Sequence, residues 1–532
     1  YDSAQDRLHV YDPNLATPRV RRVGFATPAA PTVANTGAGT YAATLRYYRV
    51  RWIQISGTTL VRRSPTSASV SFTPSGTGNA ARITQPTVAG EGETHWEIEV
   101  STDNATWYVP YGFVTGSYPT IGATTWDDDL VVTAYGTYTI PDAAGQHARF
   151  PSVKYLISDG NRLLGAGAWE ATGAESGGRN SRVWFTPVLG TADRGDDERL
   201  VNTTTQKNWV DLNENDGGGV SGLGVVDGVP YAFKSSQIYK LRPTGDVTTP
   251  YIPKRIKGDI GCLSHKTIAE GEDQTGQTAL YFLSSRGPYR IVQVNGAHQV
   301  QYLGRDNEVT WRSINLAASL AVAHSVYYPD LHQWWLWIAT GSANDPDVKM
   351  VFDVQKGFPD EHGQIRGGWF KHDGPSATAR CSCLMSNTLG ATMSRDLKPY
   401  IGATSAVAIW KLDTTDLDDA GTDFQAYVKS RPILTSGELG VKIGMAEPYL
   451  LAKTLTGVTL TLTSDRDFGA ETRTHTATLT AGGTETRVFK KFEGGEVGEA
   501  NVIQVQIGDG AAQEGAWSID ALIVPKSSQE VA

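Results

Sequence analysis

VPYAFKSSQIYKL (229–241), ALYFLSSRGPYRI (279–291) and KPYIGATSAVAIWKL (398–412) repeat one phrase, whose second half ends in an aromatic residue, a base and an aliphatic. Each copy reads as strand, tight turn, strand. Tyr239 and Tyr289 are 50 residues apart, and Tyr289 and Trp410 are 121 apart, close to two further periods. HQWWLWIATG (332–341) stands where the missing copy is due, with the wording lost. Periods of about 40–50 residues with some four strands each mark propeller blades. One four-stranded sheet cannot bury both of its faces, so such sheets stack until a ring closes. The reading is an all-β chain with a β-propeller over residues 134–424, a span that fits five to seven blades. RLHVYD (7–12) and RVRRVGF (19–25) read as strands ahead of it, and residues 1–26 are expected to return and complete the propeller.

The two flanking regions have a different grammar. In TLRYYRVRWIQI (44–55), Tyr48, Val50 and Trp52 alternate with Arg49 and Arg51, the period of a half-buried strand. SASVSFTP (67–74), HWEIEVST (95–102) and TWYVPYGFV (106–114) supply further strands, and TTWDDDL closes the unit. Residues 27–133 thus form a β-sandwich that resembles a fibronectin type III module. In residues 425–532, Val458, Leu460 and Leu462 alternate with threonines, and Ile503, Val505 and Ile507 with glutamines. That is a second antiparallel sandwich with one-sided burial.

Size and composition narrow the function. A chain of 532 residues exceeds a single core, which stops growing at roughly 250–300 residues. The 57 Gly, 14 Trp and 22 Tyr favour strands and tight turns. A net charge of −9 offers no basic face for tight nucleic-acid binding. Three cysteines, Cys262, Cys381 and Cys383, argue against a disulfide framework and for a reducing compartment. YDSAQDRLHV is not a secretory leader, and its first residue, Tyr1, suggests a processed or trimmed start. No apolar run approaches the roughly 20 residues of a membrane helix.

The candidate chemical motifs are thin. DLNENDGGG (211–219) spaces Asp211, Asn213 and Asn215 like the start of a calcium loop, but Asp216 stands where glycine is required and Gly222 where glutamate is. An Asx-rich turn competes with a metal at Asp211, Asn213, Asn215 and Asp216. Asp127, Asp128 and Asp129 are consecutive, so on a strand they point to opposite faces and read as solvated strand-end acids. STDNATWY (101–108) touches the Asp-box pattern of sialidases, with Ala105 in place of glycine and Trp107 one residue early; a hairpin turn fits it better. Cys381-Ser-Cys383 lacks a second ligand pair and reads as two small residues on a strand. His324 reads as a core or edge residue. There is no G-x-S-x-G elbow, no H-E-x-x-H and no phosphate-cradling loop. No catalytic residue and no cofactor site is assigned, although a glycosidase carboxylate pair is a property of the fold and not of spacing in sequence.

The succession NRLLGAG (161–167), SRVWFTPV (181–188), GVSGLGVVDGVPYAFKSSQIYKL (219–241), IGCLSHKTIA (260–269), ALYFLSSRGPYRI and RGGWFKHDG (366–374) resembles the β-propeller proteins of tailed-bacteriophage tails, the podovirus nozzle or hub proteins also called tail tubular proteins B. The likeness covers about residues 160–415. Arg286-Gly287-Pro288-Tyr289-Arg290 departs from the family's usual wording there. The resemblance implies a hexameric ring in the virion tail, assembled in the bacterial host cytoplasm. It would sit below the head–tail adaptor and portal, next to tail fibres or needle proteins, retaining the genome and passing viral DNA without sequence-specific contact. It implies no cofactor and no chemistry. Two other readings compete, a carbohydrate-binding or glycoside-hydrolase propeller and a trimeric receptor-binding protein of the tail tip.

Overall fold

The computed structural model describes residues 8–525 apart from 12–18, 42, 58, 76–78, 111–117, 139, 169–179, 189–198, 214–217, 257, 362–364, 373–374, 387–396, 403–408, 413–417, 420–421, 424–426, 430–432, 435–442, 455–457, 468, 480–485, 494–496, 501 and 509–516. The protein is all-β, a β-propeller chain built from a series of small antiparallel sheets. It divides into two compact units, residues 1–344 with 351–370, and residues 345–350 with 371–532.

Four sheets follow one another, each with its four strands in chain order. Blade 1 comprises Val153–Ser158, Leu163–Ala168, Arg182–Phe185 and Trp209–Asp211. Blade 2 comprises Val220–Val226, Val229–Lys234, Ile238–Pro243 and Tyr251–Arg255. Blade 3 comprises Ala269–Glu272, Thr278–Ser284, Gly287–Val294 and Ala297–Tyr302. Blade 4 comprises His324–Tyr328, Gln333–Ile338, Val348–Asp353 and Trp369–His372. Two of the turns are set by residues that accept positive φ. Asp227 and Gly228 (φ 50° and 70°) join the first two strands of blade 2, and Asn295 and Gly296 (52° and 76°) the last two of blade 3. These are the two-residue hairpins that Asp-Gly and Asn-Gly favour.

The repeated phrase occupies the second and third strands of its sheet in every copy. Tyr231 lies opposite Lys240, Tyr281 opposite Arg290, and Tyr400 opposite Lys411, the last pair in a three-stranded sheet of Cys381–Ser386, Leu397–Gly402 and Ile409–Lys411. The next residue inward faces the phrase's aromatic: Ala232 with Tyr239, Phe282 with Tyr289, Ile401 with Trp410. HQWWLWIATG supplies the second strand of blade 4.

The central strands are buried on both faces, so each blade must be covered twice. An aromatic contact stands at each junction. Phe185 meets Tyr251 at 5.1 Å between blades 1 and 2, Phe233 meets Phe282 at 5.0 Å between blades 2 and 3, and Tyr281 stacks on Tyr327 and Trp334 at 5.7 and 5.4 Å between blades 3 and 4. Where first strands approach the next blade, glycine removes the obstruction. A Cβ on Gly224 would lie 2.5 Å from the Leu280 side chain, and one on Gly271 2.3 Å from the Tyr327 ring.

Two further layered regions occur, one before these sheets in the chain and one after them. Thr32–Tyr41, Asn79–Thr84 and Thr125–Asp128 form one sheet, and Arg46–Ser56 pairs with Thr59–Arg63, Val70–Phe72 and His95–Ser101 in another. Val50, Trp52, Trp96 and Ile98 pack with Ala81 and Ile83 between them. In the second unit, Leu460, Leu462, Ala477, Leu479, Ile503 and Ile507 of a five-stranded sheet pack against Leu450 and Ala452 of a three-stranded one. The alternation in NVIQVQIGDG is realised as buried Ile503, Val505 and Ile507.

His9–Tyr11 pairs with Val20–Arg22, and among the described residues neither adds a strand to a blade. Leu8, Val10 and Val23 instead pack on Phe150, Val153 and Trp184 at blade 1. Their apolar residues supply cover for blade 1.

The tight glycine contacts give a direct test. Gly271→Val and Gly224→Val should each destabilise the fold by about 1–3 kcal/mol or more through overpacking. Gly136→Ala, where nothing lies within 4 Å of the new Cβ, should change little. Denaturant midpoints of the three variants check this.

Candidate functional site

The structure disperses the sequence candidates. The Asp211 carboxylate is held by both sides of the Arg182 guanidinium, at 2.6 and 2.8 Å, and that guanidinium lies 4.5 Å from the Trp209 ring. The Asn213 carbonyl accepts from the buried Lys234 ammonium. A cation at this place would compete with two basic side chains that already satisfy the oxygens. Asn215 and Asp216 lie outside the described residues. No group of three His, Cys, Asp or Glu poised for a metal occurs among the described residues. In STDNATWY, Asp103 accepts from the Ala105 and Thr106 amides at 2.9 and 2.7 Å and from Ser101 Oγ at 2.9 Å, with Asn104 at φ 58°. Those hydrogen bonds hold its carboxyl well below the usual range. The motif is a turn.

The consecutive aspartates split between faces as alternation demands, but only in part as solvated acids. Asp127 meets Arg82 at the surface through two bonds of 2.7 Å. Asp128 is fully buried. It accepts from Tyr48 OH at 2.8 Å, Arg46 Nη1 at 3.1 Å and Tyr135 OH, and Arg46 also donates to the Leu130 carbonyl at 2.8 Å. Burial pushes the Asp128 carboxyl upward, against its hydrogen bonds from Tyr135 and its pairing with Arg46.

The densest ionic arrangement was not legible as a site. Along Arg46–Ser56, Arg49 lies opposite Glu99 and Arg51 opposite Glu97. Glu99 receives Arg51 Nε and Arg49 Nη2, each at 2.5 Å, while Glu97 lies 3.8 Å from Arg51 and 3.6 Å from Arg63. Both glutamates and Arg51 are buried. The face that alternation assigns to solvent is therefore closed. Its cover is the segment around Asp142, whose carboxylate takes His147 Nε2 at 2.8 Å and Arg63 at 2.7 Å and whose carbonyl takes Arg51 Nη2. The hydrogen bond from His147 and the nearby Arg63 hold the Asp142 carboxyl below its ordinary value. Burial raises Glu97 and, with the Glu97 charge, pushes the Tyr118 phenol up to about 12. One residue along, Arg62 lies 3.8 Å over the Phe25 ring and donates to the Arg22, Gly24 and Glu91 carbonyls.

Two carboxylates side by side suggest acid–base chemistry, which needs access to the transferred proton. Here every glutamate oxygen faces arginine, and both glutamates are buried. The arrangement joins the 46–101 sheet to segments 20–26 and 140–149. The signal in the sequence was the match of Arg49-x-Arg51 to Glu97-x-Glu99.

His324 is 3% exposed, stacks on Trp337 at 4.9 Å and 9°, and has its Nδ1 3.0 Å from the Val322 carbonyl. Burial lowers its pKa to about 4. It is a core residue.

Comparison with known proteins adds distant likenesses only. No family model matches the chain, and no curated protein does. Among solved structures it is similar to a glycoside hydrolase family 43 arabinoxylan arabinofuranohydrolase from Bacillus subtilis (9% identity, TM-score 0.20, covering 84% of this chain and 93% of that one). It is also similar to the dihydro-heme d1 dehydrogenase NirN (11%, 0.25, 85% and 75%) and to an ancestral GH74 enzyme (9%, 0.27, 88% and 63%). At these scores the likenesses carry no argument; the fold rests on the strand pairing above.

Two measurements follow. Asp128→Ala strands the buried Arg46 charge and should cost about 3–5 kcal/mol, whereas Asp127→Ala, at the surface, should cost under about 1 kcal/mol in equilibrium unfolding. For His324, the folded pKa lies below the ordinary 6.5, so the unfolded chain takes up the proton first. Its contribution is complete above pH 6.5 and is lost as pH falls towards 4, at up to about 1.4 kcal/mol per pH unit. His324→Phe keeps the ring and cannot protonate; its melting temperature should fall less between pH 7 and pH 5 than that of the parent chain.

Proposed function

We propose that this chain is a structural protein of a bacteriophage tail, a nozzle or hub that assembles as a ring of six around a channel, retains the packaged genome and conducts DNA on ejection. The observation that carries the reading is the placement of the phrases that resemble tail nozzle proteins. NRLLGAG opens the second strand of blade 1, SRVWFTPV its third, and the phrase ending in QIYKL and its Arg290 counterpart take the same two strands of blades 2 and 3 in the same register. Wording conserved at matched positions of successive sheets is what a repeat architecture of one kind produces.

The chemistry of the site is compatible with that role. The densest ionic cluster binds segments of the chain to each other, and its carboxylates face arginines. A net charge of −9 on each copy gives a ring whose field repels phosphate, so DNA would pass without being gripped. The neighbours would be the head–tail adaptor or portal above and fibres or needle proteins at the tip, and the protein would be a virion component assembled in the host cytoplasm.

Mass measurement of the purified chain and electron microscopy test the proposal together. The expected result is a particle of six times the 57.3 kDa chain mass, seen end-on as a six-fold annulus with an axial pore. A trimer would favour a tip receptor-binding protein. A monomer that releases sugar from arabinoxylan or a cello-oligosaccharide would replace the conduit with a glycoside hydrolase.

A further inference from the structure

The strand Cys381–Ser386 carries sulfur along one face. Cys381, Cys383 and Met385 are alternate residues, and alternate residues of a strand share a face. The burial pattern agrees: both thiols are free and exposed, Met385 is 49% exposed, and Ser382 and Leu384 between them are partly covered. On the neighbouring strand, Cys381 lies opposite Gly402, Cys383 opposite Tyr400 and Met385 opposite Lys398. Gly402 leaves the Cys381 thiol lying over bare backbone, since a Cβ there would be 2.7 Å from Sγ.

We propose that Cys381, Cys383 and Met385 form a binding site for a soft monovalent cation, copper(I) or silver(I), with two thiolates as principal ligands and the Met385 thioether as the third. Softness selects the class, because thiolate and thioether donors favour copper(I) over hard cations, which take oxygen ligands. The ligand count selects within it, since structural zinc takes four ligands and this row supplies three. Alternate Cα atoms on a strand are about 6.5 Å apart, a span that two thiolates turned towards each other close around one ion. Binding exchanges two thiol protons for one cation and leaves the bis-thiolate centre with one negative charge. No electron moves.

The experiment is an anaerobic titration of the full chain with copper(I) in the presence of a chromophoric copper(I) chelator, with proton release followed in weak buffer. The expected result is one copper(I) per chain held against the chelator, two protons released, and protection of two thiols from alkylation. Cys381→Ser with Cys383→Ser should abolish retention, Met385→Leu should weaken it, and Cys262→Ser should leave it unchanged because that thiol is fully buried. Thermal melts of the variants establish that each is folded. Failure of the parent chain to hold copper(I), retention by the folded double serine variant, or conversion of the two thiols to a disulfide in place of binding would each overturn the proposal.

Discussion

An antiparallel sheet whose middle strands are apolar on both faces has to be covered twice, and most of the architecture follows from that constraint. In blade 3 the second strand, Thr278–Ser284, is buried from Ala279 to Ser284 without alternation. One face meets Phe233 and Ile238 of the blade before it, and the other meets Tyr327 and Trp334 of the blade after it. Large aromatics fill the wide part of each gap. Gly224 and Gly271 leave no side chain where first strands come closest. A stack made this way favours small residues on one strand and rings on the next, which is why the same hairpin can be written repeatedly with little change.

That local logic explains what the sequence revealed. A hairpin is a contiguous object: its strands, its turn and its cross-strand pairs all lie within about fifteen residues, so the copies at 229–241, 279–291 and 398–412 could be recognised before any long-range contact was known. The Asp227-Gly228 and Asn295-Gly296 turns carried the same kind of local signal. What could not be read locally was the partner of a charge. Arg51 and Glu99 are 48 residues apart, and each alone has the composition of a solvated face. Only their register on adjacent strands makes them a buried pair. Asp128 is the same case, since its fate depends on Arg46 and Tyr48 of a strand 80 and more residues earlier. The N-terminal pair His9–Tyr11 and Val20–Arg22 was legible as strands but not as a self-contained hairpin, because strand propensity does not specify which edge is taken.

The ionic layer around Glu97 and Glu99 ties together segments that lie far apart in sequence. A buried charge pair is weak support for stability by itself, because desolvation offsets much of its Coulomb attraction. Its arrangement matters more. Five arginines on two adjacent strands reach backbone carbonyls and carboxylates of segments far away in sequence: Arg46 to Leu130, Arg51 to Asp142, Arg62 to Arg22, Gly24 and Glu91, Arg63 to Asp142, and Arg49 across to Glu99. The planar guanidinium, with five donors in fixed directions, suits this work better than lysine does. Here the glutamates are paired with arginines, and the same arginines reach across to other segments of the chain. A cluster that ties layers together in this way is compatible with the structural role proposed above.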